Sequence, residues 1–258
     1  MSIMTDSLVD TRTMLRRNLV HAKRYPGMTG YLVIMPVALL LLFNYVFGGA
    51  LSKGIGGGKY IDYITPGLLL IVPAMLVVTV AVAIATDMTK GFVNRFRAMP
   101  VAHSSFLSGQ VIGTMIQGLL GLILTLGVAL LIGFRPHANL LEWLAAFGLI
   151  VLLLFGLCWL GAGFGMAASS PEAASNTPSI ILYLPMLGSG LVPTDTMPNG
   201  VRHFAEFQPF TPITETLRGL LMGSEIGNNA IIAIAWSLAF ALIGYLWSTS
   251  QFRRKANQ

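Results

Sequence analysis

Phe106 to Gly133 reads FLSGQVIGTMIQGLLGLILTLGVALLIG, 28 residues without an Asp, Glu, Lys or Arg, inside a charge-free stretch of 37 residues from 98 to 134. About 20 apolar residues in a helix cross the roughly 30 Å hydrocarbon core of a bilayer. Within lipid a backbone must satisfy its own hydrogen bonds, so a single apolar run of this length crosses as a helix. Five further charge-free stretches lie at 25–52, 63–86, 143–171, 173–194 and 226–252, with lengths of 28, 24, 29, 22 and 27 residues. Each is long enough for one span and none needs to hold two. The expectation is an all-α polytopic membrane protein, one transmembrane domain over 1–258, with six helices near Tyr31–Phe47, Pro66–Thr86, Phe106–Gly133, Trp143–Ala168, Ser179–Val192 and Asn229–Ser250.

Composition agrees. The chain is 55% hydrophobic and 10% charged, with a mean hydropathy of +0.74, whereas a soluble domain carries about 25% charged residues to keep its surface wet. A water-soluble enzyme, a disordered regulator, a coiled coil and a free nucleic-acid binder are all excluded on that arithmetic. The basic residues are unevenly placed. With both termini on one side, that side holds eleven of the 16 Lys and Arg (Arg12, Arg16, Arg17, Lys23, Arg24, Lys90, Arg95, Arg97, Arg253, Arg254 and Lys255) and the opposite side five. The positive-inside rule then puts both termini in the cytoplasm. The net charge of +6 reflects this asymmetry and does not indicate nucleic acid. The four His are scattered without metal-ligand spacing, and the single Cys158 lies in the fourth expected span as a small packing residue.

The middle of every expected span lacks Asp, Glu, Lys and Arg. Ion-coupled transporters place such groups at membrane depth to carry the coupling, so a self-powered secondary transporter is disfavoured. Among the few polar residues in the spans, Asn44, Thr79 and Gln117 are candidates to line a substrate pathway, with bonding to a neighbouring helix or their own backbone as the alternative. Gly109 with Gly113, and Gly161 with Gly165, have Gly-x-x-x-Gly spacing that permits close helix contact, within one chain or between two. The cluster from Gly54 to Lys59 lacks the leading glycine and the following Ser or Thr of a phosphate-binding loop, so no nucleotide site is expected in this chain.

Three segments outside the spans carry pattern. Leu8, Leu15, Leu19 and Ala22 form one stripe of a helix over 8–25, with Arg12, Arg16 and Lys23 beside it, as in a helix lying in the membrane interface, with an ordinary solvated cytoplasmic helix as the alternative. In 88–100, Phe92, Phe96 and Met99 share a helical face with basic neighbours and Pro100 ends the helix. This is either a second interfacial helix or a lever that docks into a groove of a soluble partner. The region 193–222 is rich in Pro and acid, and Ile213 to Leu221 reads as a helix with Ile213, Leu217, Leu220 and Leu221 apolar. Pro185 within the short fifth stretch favours a broken or re-entrant path there, with a plain surface loop as the alternative.

Three of these stretches, KGFVNRFRAMP at 90–100, LVPTDTMP at 191–198 and QPFTPITETLRGLL at 208–221, resemble the permease subunits of type-2 ABC exporters, and among them the daunorubicin-resistance-like drug and lipid exporters. The resemblance covers nearly the whole chain. It implies a dimer, with a second copy or a paralogous permease, docked on two copies of a separate ABC ATPase subunit that binds ATP and magnesium; this chain has no cofactor and no catalytic or metal residue of its own. It implies that 88–100 is the ATPase-coupling helix, carried by Gly91, Phe92, Arg95, Phe96, Arg97 and Pro100, and that 193–222 is a re-entrant external gate, carried by Pro193, Asp195, Met197, Pro198, Gln208, Pro209, Thr211, Pro212 and Arg218. Many members have a Glu near positions 89–91 where this chain reads Thr89-Lys90-Gly91, so a salt bridge to the ATPase from that position is not implied. The expected function is outward movement of hydrophobic or amphipathic small molecules, drug or lipid, across the cytoplasmic membrane, with membrane lipid as surroundings. An ion-coupled secondary multidrug transporter and a non-transport membrane scaffold are the alternatives.

Overall fold

A computed structural model describes residues 26–55, 58–89 and 103–256. The interfacial helix expected over 8–25, and Gly91, Phe92, Arg95, Phe96, Arg97 and Pro100 of the expected coupling helix, lie outside the described residues. The described chain is helical throughout, with no strand. Helix α1 (Pro26–Leu41) runs on as a π-helical stretch over Leu42–Phe47 into α2 (Gly48–Leu51). Next come α3 (Tyr60–Leu69), α4 (Ile71–Thr89), α5 (His103–Ile132) and α6 (Leu140–Ala167). Four shorter helices follow, α7 (Pro171–Asn176), α8 (Ser179–Tyr183), α9 (Asn199–Phe207) and α10 (Phe210–Met222), and α11 (Asn229–Ala256) closes the chain.

Among the described residues, five helical stretches are long and apolar enough to cross a membrane: Gly30–Ile55, Tyr60–Thr89, Leu107–Ile132, Leu140–Ala167 and Asn229–Arg254. The fifth expected span is different. Residues 171–192 form α7, α8 and a chain of turns, because Pro178 and Pro185 lack the N–H that would continue a helix and Gly188 and Gly190 weaken what remains. The broken segment still follows α4 and α3 along their length. Ala174 packs with Ala81 and Ala85 near the far end of α4, and Ser189 reaches the first turn of α3, where its carbonyl accepts the Tyr63 hydroxyl at 2.9 Å.

The second span is the most enclosed and α6 is its main partner. Glycines set that packing. A Cβ on Gly161 would lie 2.5 Å from the Val77 carbonyl oxygen, and one on Gly165 would lie 2.6 Å from that of Ala81, so the second Gly-x-x-x-Gly pair seats α6 on α4 within one chain. On the other face of α6, a Cβ on Gly156 would lie 2.7 Å from the Ser237 carbonyl oxygen, and Gly244 of α11 meets the Trp159 backbone in the same way. Trp159 stands edge-on to Tyr245 and Phe164 edge-on to Trp247, each pair with ring centroids 4.9 Å apart. Such pairs contribute about 0.5–1.5 kcal/mol beyond their buried area. Cys158 is fully buried among these contacts. An Asn139–Glu142 capping box starts α6, each side chain bonding the other residue's backbone N–H.

The second span is jointed. Pro66 lies inside α3, Pro73 in the first turn of α4, and the helix is interrupted at Leu70. A proline withdraws one hydrogen bond and its ring crowds the carbonyl four residues back, which is why the span divides there.

Candidate functional site

Three long-range bonds gather one end of the bundle. The Arg135 backbone N–H donates to Asp62 Oδ1 at 3.1 Å, the His137 N–H donates to the Leu221 carbonyl at 2.9 Å, and the Tyr60 hydroxyl donates to the Leu191 carbonyl at 2.8 Å. The start of α3, the α5–α6 turn, the end of the broken segment and α10 therefore meet at a single place.

Arg218 lies at its centre. Ile213, Leu217 and Leu221 are buried and fix the face of α10, which carries Arg218 inward until it is only 7% exposed. Its guanidinium stacks on the Tyr63 ring, 3.8 Å from the centroid. Nε and Nη2 donate to the Tyr63 carbonyl at 3.3 and 3.2 Å, and Nη2 donates also to the Ser189 carbonyl at 2.8 Å. Nη1 pairs with Glu215 Oε1 at 2.5 Å, one turn back on α10. The buried cation is thus neutralised by a carboxylate and nearly all its donors are used, so it is a structural tie and not a free anion site.

A second knot lies beside it. Thr211 Oγ1 donates to the Ala205 carbonyl at 2.5 Å and accepts from Gln208 Nε2 at 3.0 Å and from the Ser189 N–H at 3.3 Å. Gln208 Oε1 accepts the Phe210 N–H at 3.0 Å. Thr211→Val keeps the side-chain shape but leaves these buried partners unsatisfied. It is expected to cost about 2–4 kcal/mol, read as a lower thermal midpoint of the detergent-purified protein, with Thr211→Ser close to the parent.

The seam between the second span and the broken segment is formed by backbone. A Cβ on Gly67 would lie 2.6 Å from the Gly190 carbonyl oxygen, and one on Gly190 would lie 3.4 Å from the Gly67 Cα and 2.6 Å from the Pro185 carbonyl oxygen of its own segment. A Cβ on Gly188 would lie 2.5 Å from Thr211 Oγ1. The Ser189 hydroxyl, by contrast, is buried without a hydrogen-bond partner among the described residues, while its backbone N–H and carbonyl are both engaged.

The residues expected to form a gate therefore separate. Gln208, Thr211, Pro212 and Arg218 are buried in the joint, with Pro209 half-buried beside them. Pro193, Asp195, Met197 and Pro198 lie on a turn leading into α9, where the Pro193 carbonyl accepts the Thr196 hydroxyl at 2.7 Å and the Pro198 carbonyl accepts the Arg202 N–H at 2.9 Å. Helix α9 leaves Val201, Phe204 and Phe207 exposed beside an open groove of about 530 Å³ that Leu184, His203 and Pro209 help to line. On its polar side Arg202 pairs with Glu206 at 2.7 Å, and this bond raises the pKa of the guanidinium further.

The pathway candidates are not brought together by any hydrogen bond among the described residues. Thr79 bonds back to the Met75 carbonyl of its own helix at 3.0 Å, Asn44 is half-buried in the π-helical stretch and Gln117 is half-buried on α5. Sequence reasoning missed Tyr60, Tyr63, Ser189 and Glu215. The available signals were a Tyr-x-x-Tyr pair at the mouth of a span, where amphipathic rings favour the interface, and a Glu three residues before an Arg on one helix face.

A profile of the family described as ABC-2 type transporter matches residues 9–222. The chain belongs to that family. Among curated proteins, the chain is 30% identical over 215 residues to the daunorubicin resistance ABC transporter permease protein DrrB1 of Streptomyces coeruleorubidus, covering 83% of this chain and 75% of that one. It is 21% identical over 244 residues to the probable doxorubicin resistance ABC transporter permease protein DrrC of Mycobacterium tuberculosis, covering 92% and 84%. This ABC-2 type protein is accordingly a multi-pass membrane protein, with its apolar helices as the spans. The family match takes in both 88–100 and 193–222 and stops at the end of α10.

Proposed function

We propose that this chain is the permease subunit of an ATP-driven exporter that moves apolar or amphipathic small molecules, a drug or a lipid, outward across the cytoplasmic membrane. One observation carries the reading: a family match over 9–222 in a chain whose curated relatives bear the names of drug-resistance permeases. The mid-span regions, empty of Asp, Glu, Lys and Arg, support an energy source outside the chain. A partner ABC ATPase, present in two copies, binds ATP and magnesium and drives the cycle. Residues 88–100 dock on it through Phe92 and Phe96. A second copy or a paralogous permease completes the path. The broken segment 171–192 makes a sixth crossing, both termini are cytoplasmic, and 193–222 is the external gate.

Inside-out vesicles containing the chain and an ABC ATPase encoded beside it provide the test, with daunorubicin as probe. Uptake is expected to require ATP and to persist when the proton gradient is collapsed. Uptake that continues on a proton gradient after ATP is removed would sink the reading in favour of a secondary transporter.

A further inference from the structure

We infer that Arg218 is a positioning residue that latches the gate, holding the broken segment against the second span in the closed state. The inference rests on reading 193–222 as the gate. Two surfaces of glycine backbone, Gly67 and Gly190, face each other across this seam. Glycine at both positions lets the two backbones approach closely, and Leu184, Met186 and Leu191 of the broken segment pack against the core on either side. Among the described residues, the polar contacts across the seam are a small set of hydrogen bonds that end on backbone carbonyls. Tyr60 reaches Leu191, Tyr63 reaches Ser189, and Arg218 reaches Ser189 and Tyr63 at once. Arg218 is the charged member of the set: rooted on α10, it bonds to both the broken segment and α3.

The charge arrangement suits a reversible tie. Glu215 is on the same helix as Arg218 and its side chain is 28% exposed. When the carbonyl bonds break, the guanidinium keeps its carboxylate partner and turns toward water, so release does not strand a charge in the protein. Bonds to a charged donor are also the strongest available at such a seam. The two positions of Arg218, on the carbonyls or on Glu215 alone, supply the bistable element that gating needs.

The protein carries its own probe and its own control. The Ser189 hydroxyl has no hydrogen-bond partner among the described residues, so Ser189→Cys leaves the seam's backbone bonds in place. Cys158 is the only native cysteine and is fully buried in α6, so its labelling reports general unfolding. The experiment is the rate of labelling of the full chain by a membrane-impermeant maleimide, in intact cells and in inside-out vesicles. Arg218→Gln in the Ser189→Cys chain is expected to raise labelling at 189 by about tenfold in intact cells, with Cys158 unlabelled, since loss of one charge-assisted bond shifts a two-state equilibrium by at least about that factor. Arg218→Lys, which keeps the charge but loses the fork, is expected to raise it by about threefold. Unchanged labelling at 189 in a chain whose Cys158 stays protected overturns the latch, as does labelling of both cysteines together. If Arg218→Gln does not reach the membrane, the Lys variant decides between these outcomes. A rise confined to inside-out vesicles supports the latch and overturns the external placement of the gate. None of these readings requires the ATPase, so failure of the latch and failure of the exporter assignment are distinguishable.

Discussion

Gly161→Leu is expected to reduce folded, membrane-inserted protein by more than about tenfold, while Gly148→Leu on the same helix leaves it near the parent level. The difference lies in what each new side chain meets. At 161 even the first carbon would fall 2.5 Å from the Val77 carbonyl oxygen and 3.0 Å from its Cα, at the crossing of the two most enclosed helices. At 148 nothing lies within 4 Å. Overpacking a core costs typically about 1–3 kcal/mol when side chains can yield. Here the obstacle is backbone of a rigid helix, so α4 and α6 must separate and the Gly165 contact with Ala81 is lost too. Size-exclusion of a fluorescent fusion in mild detergent measures the outcome. Equal yields from the two variants would mean that α6 does not seat on α4 through this pair.

The second large effect concerns function. Phe96→Ala and Arg95→Ala are each expected to lower ATP-dependent export more than about tenfold, with insertion and yield unchanged, and to abolish cargo stimulation of the partner ATPase. Aromatic and Arg anchors at a docking surface carry most of its energy, and truncating one costs about 2 kcal/mol or more, which is roughly thirtyfold in affinity. Both lie between the charge-free stretches 63–86 and 98–134 of the sequence, so insertion of those stretches is not expected to require them. Full export by both variants would remove 88–100 from the coupling role.

The membrane architecture was legible in the sequence because it follows from an inventory of charge. A stretch without Asp, Glu, Lys or Arg is a property of each residue alone, and the five long spans follow from it directly. Helix α10 was legible for a related reason, since Ile213, Leu217 and Leu221 keep helical spacing and all three are buried. The fifth stretch was harder. Its composition is as apolar as a span, but Pro178, Pro185, Gly188 and Gly190 act through backbone geometry, which a count of charges does not register. The joint around Arg218 was only half legible. Arg218, Gln208 and Thr211 lie in one short stretch, whereas Tyr63 and Ser189 are brought to them across 155 and 29 residues of chain. Pairings of that kind depend on how the helices pack. The glycines illustrate the same limit, because the spacing of Gly161 and Gly165 indicated a close contact and only the packing identified α4 as the partner.

The interruption at Leu70 turns the second span into an arm on a pivot. Tyr63 lies seven residues from Leu70, or about 10 Å at helical rise. A bend of about 10° at the pivot therefore carries the Tyr63 carbonyl through about 2 Å, which takes hydrogen bonds of 3.2 and 3.3 Å beyond their range. The lower arm, α4, ends at Thr89, where the chain enters the segment proposed to meet the ATPase. A push delivered there need not tilt a whole helix through the lipid: about ten degrees of flexion deep in the bundle is converted by arm length into a displacement large enough to release the far end.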